Sequence, residues 1–142
     1  AYWLSDDLGM ELALGGLNVS LRDYAKFGMM FSQLGEWQGQ QIVPKDWIVA
    51  STTADAPHLQ PGKNNPLSGS IHGYGFQWWL PVGRDDEFNA QGIYNQFIFI
   101  DPDQKLIIAN TSANHLYNDK SQQWNAKHMA MFRAISAHFS DK

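Results

Sequence analysis

Ile93-Tyr94-Asn95-Gln96-Phe97-Ile98-Phe99-Ile100, then Asp101-Pro102-Asp103, then Lys105-Leu106-Ile107-Ile108-Ala109-Asn110-Thr111: the fold of this chain is decided by how these residues are read. Apolar side chains fill nearly every position of both runs, and β-branched and aromatic residues suit a pleated surface. Asp-Pro-Asp between them is turn chemistry, because Pro presets φ and Asp bonds its own backbone. The reading is an antiparallel hairpin joining 92–100 to 105–111. A strand with one wet face alternates apolar and polar residues; near-continuous apolar runs instead predict a sheet covered on both faces.

Outward from that hairpin, the aromatic stretch 76–82 reads as a further strand. The segment 54–72 holds three prolines, two glycines and two asparagines and reads as a long loop. Before it stand two helices. The first starts at Ser20, with Asp23 at the third position of the cap. It carries Leu21, Tyr24, Phe27, Phe31 and Leu34 on one stripe and stops at Gly35. The second starts at Pro44, where a missing N–H costs nothing, buries Trp47 with Ile48, and fades near Thr52. At the front, Asp6, Asp7 and Gly9 form a turn between two short extended pieces. At the end a helix over 121–139 presents Trp124, His128, Phe132, Ile135 and Phe139, with Ala126, Ala130, Ala134 and Ala137 broadening its buried side. The class is therefore α/β of the α+β kind: an antiparallel sheet covered by a C-terminal helix, with part of a helical subdomain ahead of it.

Composition narrows the function. The chain has 142 residues, enough for one domain or a large piece of one, with 44% hydrophobic and 13% aromatic residues. The formal net charge is −4 and the cations are scattered, so no nucleic acid or anionic membrane surface is expected as a partner. No apolar run is long enough to span a bilayer. There is no cysteine, which excludes disulfides and thiolate metal sites and fits cytoplasm and periplasm alike. His58, His72, His115, His128 and His138 include no pair at helical metal spacing, so no metal site is expected. His128 falls on the apolar stripe of the last helix, which favours a hydrogen-bonded core role.

Four stretches, in order, resemble the C-terminal third of serine β-lactamase-family hydrolases. They are Gly15-Gly16-Leu17-Asn18-Val19-Ser20-Leu21-Arg22-Asp23, followed by Ala25-Lys26-Phe27-Gly28; Gly73-Tyr74-Gly75-Phe76-Gln77-Trp78-Trp79; Ala90-Gln91-Gly92-Ile93, followed by Ile100-Asp101-Pro102; and the terminal helix. The nearest flavour is the esterase and 6-aminohexanoate-dimer hydrolase branch. The resemblance implies a partial β-lactamase/transpeptidase-like fold, with 15–72 in the helical subdomain and its loop and 73–142 forming the sheet and last helix. It implies acyl transfer to a serine without metal or organic cofactor, on a small-molecule ester or amide.

That chemistry needs Ser-x-x-Lys, whose Lys takes the Ser proton, and a Tyr, usually in Tyr-x-Asn. Neither motif occurs here; Tyr117-Asn118-Asp119 comes near and fails. Both precede the matched region in the family, so they are expected upstream of this chain, and the chain alone is expected to be inactive and to self-associate. What the resemblance leaves here is the opposite wall. Ala90, Gln91 and Gly92 stand where the family has Lys-Thr-Gly, and the Ile93 N–H would serve the oxyanion hole, a contribution of roughly 3 kcal/mol elsewhere. Gly92 would let substrate pass close to the strand; read locally, it is equally a glycine at a sheet edge or bulge. Ala90 cannot bind a carboxylate as Lys does, which points away from penicillins. Asn18 would reach the substrate, or else serve as a turn or cap residue. Trp78 and Trp79 face opposite ways if extended, one to the core and the other, Trp79, over an apolar substrate. The alternative class is a non-catalytic binding or structural module that reuses half of the fold.

Overall fold

The computed structural model of the chain describes residues 1–13 and 15–140. A five-stranded antiparallel sheet forms its centre. Its strands are β5 (Gly73–Tyr74), β6 (Trp79–Leu80), β7 (Phe88–Gly92), β8 (Gln96–Asp101) and β9 (Leu106–Asn110), side by side in chain order. Ahead of them come β1 (Tyr2–Trp3) paired with β2 (Leu17–Asn18), and β3 (Glu36–Trp37) paired with β4 (Gln40–Gln41). The helices are α1 (Leu21–Ser32), α2 (Lys45–Ser51) and α3 (Trp124–Ser140).

The expected double cover is present. Because side chains alternate along a strand, β8 sends Ile98 and Ile100 to one face and Phe97 and Phe99 to the other. Ile98 and Ile100 pack with Phe31 of α1, Ile48 of α2, Trp78 and Phe88. Phe97 and Phe99 pack with Met129 and Phe132 of α3. Helix α1 comes close enough to the sheet that a Cβ on its buried Gly28 would lie 2.7 Å from the Ile107 Cγ2. Helix α3 is pinned by charge. Arg133 Nε donates to Glu87 Oε2 at 2.7 Å, Arg84 bridges Glu87 and Asp101, and the Ser136 hydroxyl donates to Asp101 Oδ2 at 2.6 Å. Glu87, Asp101 and Ser136 are all buried, so the pairing is what makes their burial tolerable.

Local signals held where the physics is local. Ser20 accepts the Asp23 N–H at 3.2 Å and donates its own hydroxyl to the Asp23 carboxylate at 2.7 Å. The Gly35 N–H closes the end of α1 onto the Met30 carbonyl. The Asp6 carboxylate caps the front turn by accepting the N–H groups of Leu8 and Met10.

Four expectations need correction. The stretch 93–100 is not one strand: Ile93, Tyr94 and Asn95 form a turn, and Gly92 pairs with Gln96 across it. Gly92 therefore ends β7, β8 begins only at Gln96, and its pairing with β9 starts at Phe97. The stretch 76–82 is likewise broken, by a turn at Phe76 and Gln77 (φ 68°) that folds β5 onto β6. The last helix starts at Trp124, after a 3₁₀ turn over Lys120–Gln122 and Gln123 in the left-handed region. Its Ala126, Ala130, Ala134 and Ala137 and its Phe139 are exposed, the buried face running instead through Met129, Phe132 and Ser136. In α2, Ile48 is buried, while Trp47 stays exposed with its ring against Phe76.

Candidate functional site

A cavity of about 520 Å³ opens on the α1 face of the sheet, at the end where β7 turns into β8. One wall is Gly15, Gly16 and Leu17; the other is Ala90, Gln91, Gly92 and Ile93. Leu21 and Tyr24 of α1 and Phe97 and Ile98 of β8 contribute to its lining, along with Asn110, the last residue of β9, and Thr111 just after it. None of the described residues lining it carries a formal charge.

The glycine wall is held by three side chains. Trp3 Nε1 donates to the Gly15 carbonyl at 2.9 Å, Asn18 Nδ2 to the Gly16 carbonyl at 2.9 Å, and the Tyr24 hydroxyl to the Leu17 carbonyl at 2.6 Å. A Gly-Gly segment has little stiffness of its own, so these donors fix where it stands. Of the residues marked from the sequence, Asn18 is thus next to the cavity but outside its lining, tied to the wall it supports.

The strand wall divides by face. Ala90 points to the α1 side and packs against the core around Phe31, Trp78 and Ile98. Gln91 is tied the other way: its Nε2 donates to Asn89 Oδ1 at 2.9 Å, and its Oε1 accepts from Asn125 of α3 at 3.0 Å. Asn89 is 0% exposed and also meets the Met129 sulfur at 3.8 Å. Gly92 faces Gln96 closely enough that a Cβ would sit 3.3 Å from the Gln96 Cβ. Ile93 stands in the turn at 58% exposure, its carbonyl accepting from Gln96 Nε2 at 3.3 Å. Trp79 lies away from the cavity, pairing with Asn89 in the sheet and meeting Tyr74 edge-on at 4.9 Å, while Trp78 is the core residue of the two.

The site contains residues the sequence did not mark. Tyr24 was read only as part of an apolar stripe, although its hydroxyl signals a hydrogen-bond partner whenever the ring is buried. Trp3 gave no signal. Asn95, Asn110 and Asn114 form a cluster behind the Ile93 turn; the available cue was Asn in a Gly-x-x-Asn run, a residue that tolerates the left-handed region. Among the described residues, no group of three or more His, Asp or Glu is placed to hold a metal ion, and no helix is long and apolar enough to cross a membrane. His128 stacks on Phe97 at 4.8 Å and meets the Trp124 carbonyl through Nδ1, the core role expected of it.

The fold and cavity define an α+β protein with helices on both faces of an antiparallel sheet and an uncharged cleft beside the β7–β8 turn. Within that class, a family model described as Beta-lactamase matches residues 2–130, and the chain belongs to this family. It is 23% identical over 108 residues to 6-aminohexanoate-dimer hydrolase of Paenarthrobacter ureafaciens, a match covering 76% of this chain and 28% of that protein. It superposes with TM-score 0.76 and 26% identity on a solved structure described as "Putative 6-aminohexanoate-dimer hydrolase from Bacillus anthracis", covering 98% of this chain and 34% of that one. The chain thus spans about a third of the length of these relatives.

Proposed function

We propose that this chain is the C-terminal portion of one serine hydrolase domain, acting on neutral ester or amide bonds through an acyl-enzyme. The nucleophilic Ser and its Lys, with the proton-moving Tyr, come from sequence upstream of it. In this reading the Ser oxygen attacks the substrate carbonyl carbon, and the charge arriving on the carbonyl oxygen is met by the Ile93 N–H. Collapse then expels the alcohol or amine, which takes its proton from the Tyr or Lys side. Water releases the acid in a second passage through the same states. The observation that carries the reading is the cavity. It is lined by Gly92 and Ile93 together with Gly15, Gly16 and Leu17, and by Ala90, which in this reading stands where a cation would select carboxylated substrates.

The test compares two substrates on one protein. The full-length protein should hydrolyse a neutral p-nitrophenyl ester with a higher kcat/KM than a carboxylated β-lactam. Ala90→Lys should raise the β-lactam's kcat/KM relative to the ester's by about tenfold, the worth of one charge-assisted hydrogen bond. A ratio that does not move removes Ala90 from the substrate path, and Ile93 with it. The absence of Ser-x-x-Lys and Tyr-x-Asn from these residues favours a second reading, a non-catalytic binding module. A covalent fluorophosphonate adduct on a Ser of the full-length protein, seen by mass spectrometry, would decide for the hydrolase; its absence would decide for the module.

A further inference from the structure

We propose that Asn95, Asn110 and Asn114 are positioning residues that lock the Ile93 turn, an inference that rests on the reading of Ile93 as an oxyanion donor. A turn of three residues at the mouth of a cavity is ordinarily mobile, and a donor to a developing oxyanion is effective only if it is already in place. This turn is held in a conformation that L residues adopt reluctantly. Tyr94 and Asn95 both lie in the left-handed region, at φ 62° and 65°. Asn tolerates this region better than most L residues, Tyr does not, and such a conformation persists only where its surroundings over-determine it.

The surroundings do so here. All three carbonyls of the turn are hydrogen-bonded: Ile93 by Gln96 Nε2 at 3.3 Å, Tyr94 by the Asn114 N–H at 3.4 Å, and Asn95 by Asn110 Nδ2 at 2.9 Å. The side chain of Asn95 is itself fixed, its Oδ1 accepting from Asn114 Nδ2 at 2.6 Å. Asn95 is only 4% exposed, so these partners replace water it has lost. Asn114 is held in turn, its Oδ1 accepting the Leu116 N–H and its own N–H reaching Ser112 Oγ. The Tyr94 ring leans edge-on against Tyr117 at 5.1 Å, closing the far side. On its other flank the turn is anchored by the Gly92–Gln96 pair of the sheet. Ile93 is thereby bracketed between a fixed ladder and a fixed turn.

The two anchors differ in a way that makes the proposal testable. Asn110 donates to a backbone carbonyl, which cannot reverse its polarity. Asn114 donates to a side-chain amide, which can flip. Asn110→Leu, nearly isosteric, should therefore free the turn; Asn114→Ala should do the same; Asn114→Asp should be largely rescued, because the Asn95 amide turns its NH₂ to the new carboxylate. In the full-length protein, ¹⁵N relaxation of Ile93, Tyr94 and Asn95 should give order parameters near about 0.85 in the parent and below about 0.6 in Asn110→Leu and Asn114→Ala. In those two variants kcat for a neutral ester and affinity for a boronate transition-state mimic should fall together by about tenfold or more, with KM nearly unchanged. A turn that stays rigid in Asn110→Leu and Asn114→Ala overturns the proposal whatever the activity. A turn that loosens while kcat and boronate affinity hold overturns it as well, leaving the cluster a structural one. A parent protein that neither turns over esters nor binds boronate, while its two variants loosen as described, removes the oxyanion reading itself and with it the positioning role.

Discussion

His72 stands just before β5, half-buried, with its Nδ1 shut from water and without a hydrogen-bond partner among the described residues. Burial, and to a lesser degree the positive charge of Arg133, holds its pKa below the usual histidine range. The folded state therefore resists taking the proton that the unfolded chain accepts near pH 6.5. Stability is full above that pH and declines as pH falls from about 6.5 toward the lowered folded-state value, below which both states are protonated and the decline stops. Urea unfolding between pH 7.5 and 5.5 should show this slope, and His72→Leu should flatten it; an equal slope in the mutant assigns the effect to another group. Nothing in the sequence marked this residue, because the missing partner is a property of how distant segments meet. Trp78 and Trp79 were better posed: alternation alone required one core residue and one facing away. Which was which depended on the turn at Gln77, and the reading of Trp79 as a substrate lid did not anticipate its place beside Tyr74.

Helix α1 and its approach to the sheet belong to the next scale. A methyl on Gly28 would meet the Ile107 Cγ2 at 2.7 Å and the Ile98 Cγ2 at 3.0 Å, closer than real side chains pack. Gly28→Ala should gain helix propensity and still lose stability, by about 1–3 kcal/mol, because over-filling a packed interface outweighs the smaller propensity gain. Thermal denaturation should show the lower midpoint. A more stable Gly28→Ala would mean that α1 and the sheet can part at little cost. Helix α1 was legible in the sequence because its cap and stop are local features, although Leu21, Phe27 and Leu34 of the expected stripe stay exposed and Leu34 lies past the helix end. Strand β7 was not legible from its pattern. Asn89 and Gln91 are polar yet turned inward, satisfied by each other and by Asn125 of α3, and no local pattern records a partner 34 residues away. The same cause misplaced the buried face of α3. Apolarity chose the alanines, whereas the structure buries Ser136, whose hydroxyl meets Asp101.

At the scale of the whole molecule, the order β5-β6-β7-β8-β9 leaves β9 at one end of the sheet, and among the described residues no strand pairs with its outer side. The apolar runs gave the double cover and the four ordered stretches gave the family resemblance; neither could show which edge stays open. An open edge presents unpaired N–H and C=O groups, and β9 is built of Leu106, Ile107, Ile108, Ala109 and Asn110, with none of the charges or prolines that blunt such edges. Large apolar side chains are exposed elsewhere as well, among them Leu4, Leu8 and Met10 on the front arm and Phe27 on α1. Apolar surface is worth about 25 cal/mol per Å² when removed from water, so an exposed area of this kind favours being covered. We expect a second copy of the 142-residue chain to do so, because an antiparallel strand can pair with its own copy about a two-fold axis and satisfy both edges at once. Light scattering should show the isolated chain as a dimer or larger at working concentration, and amide exchange in β9 should slow as concentration rises. A monomer that persists at high concentration, with β9 amides exchanging freely, would show that the edge and the exposed apolar groups are tolerated in water and that the chain is self-sufficient.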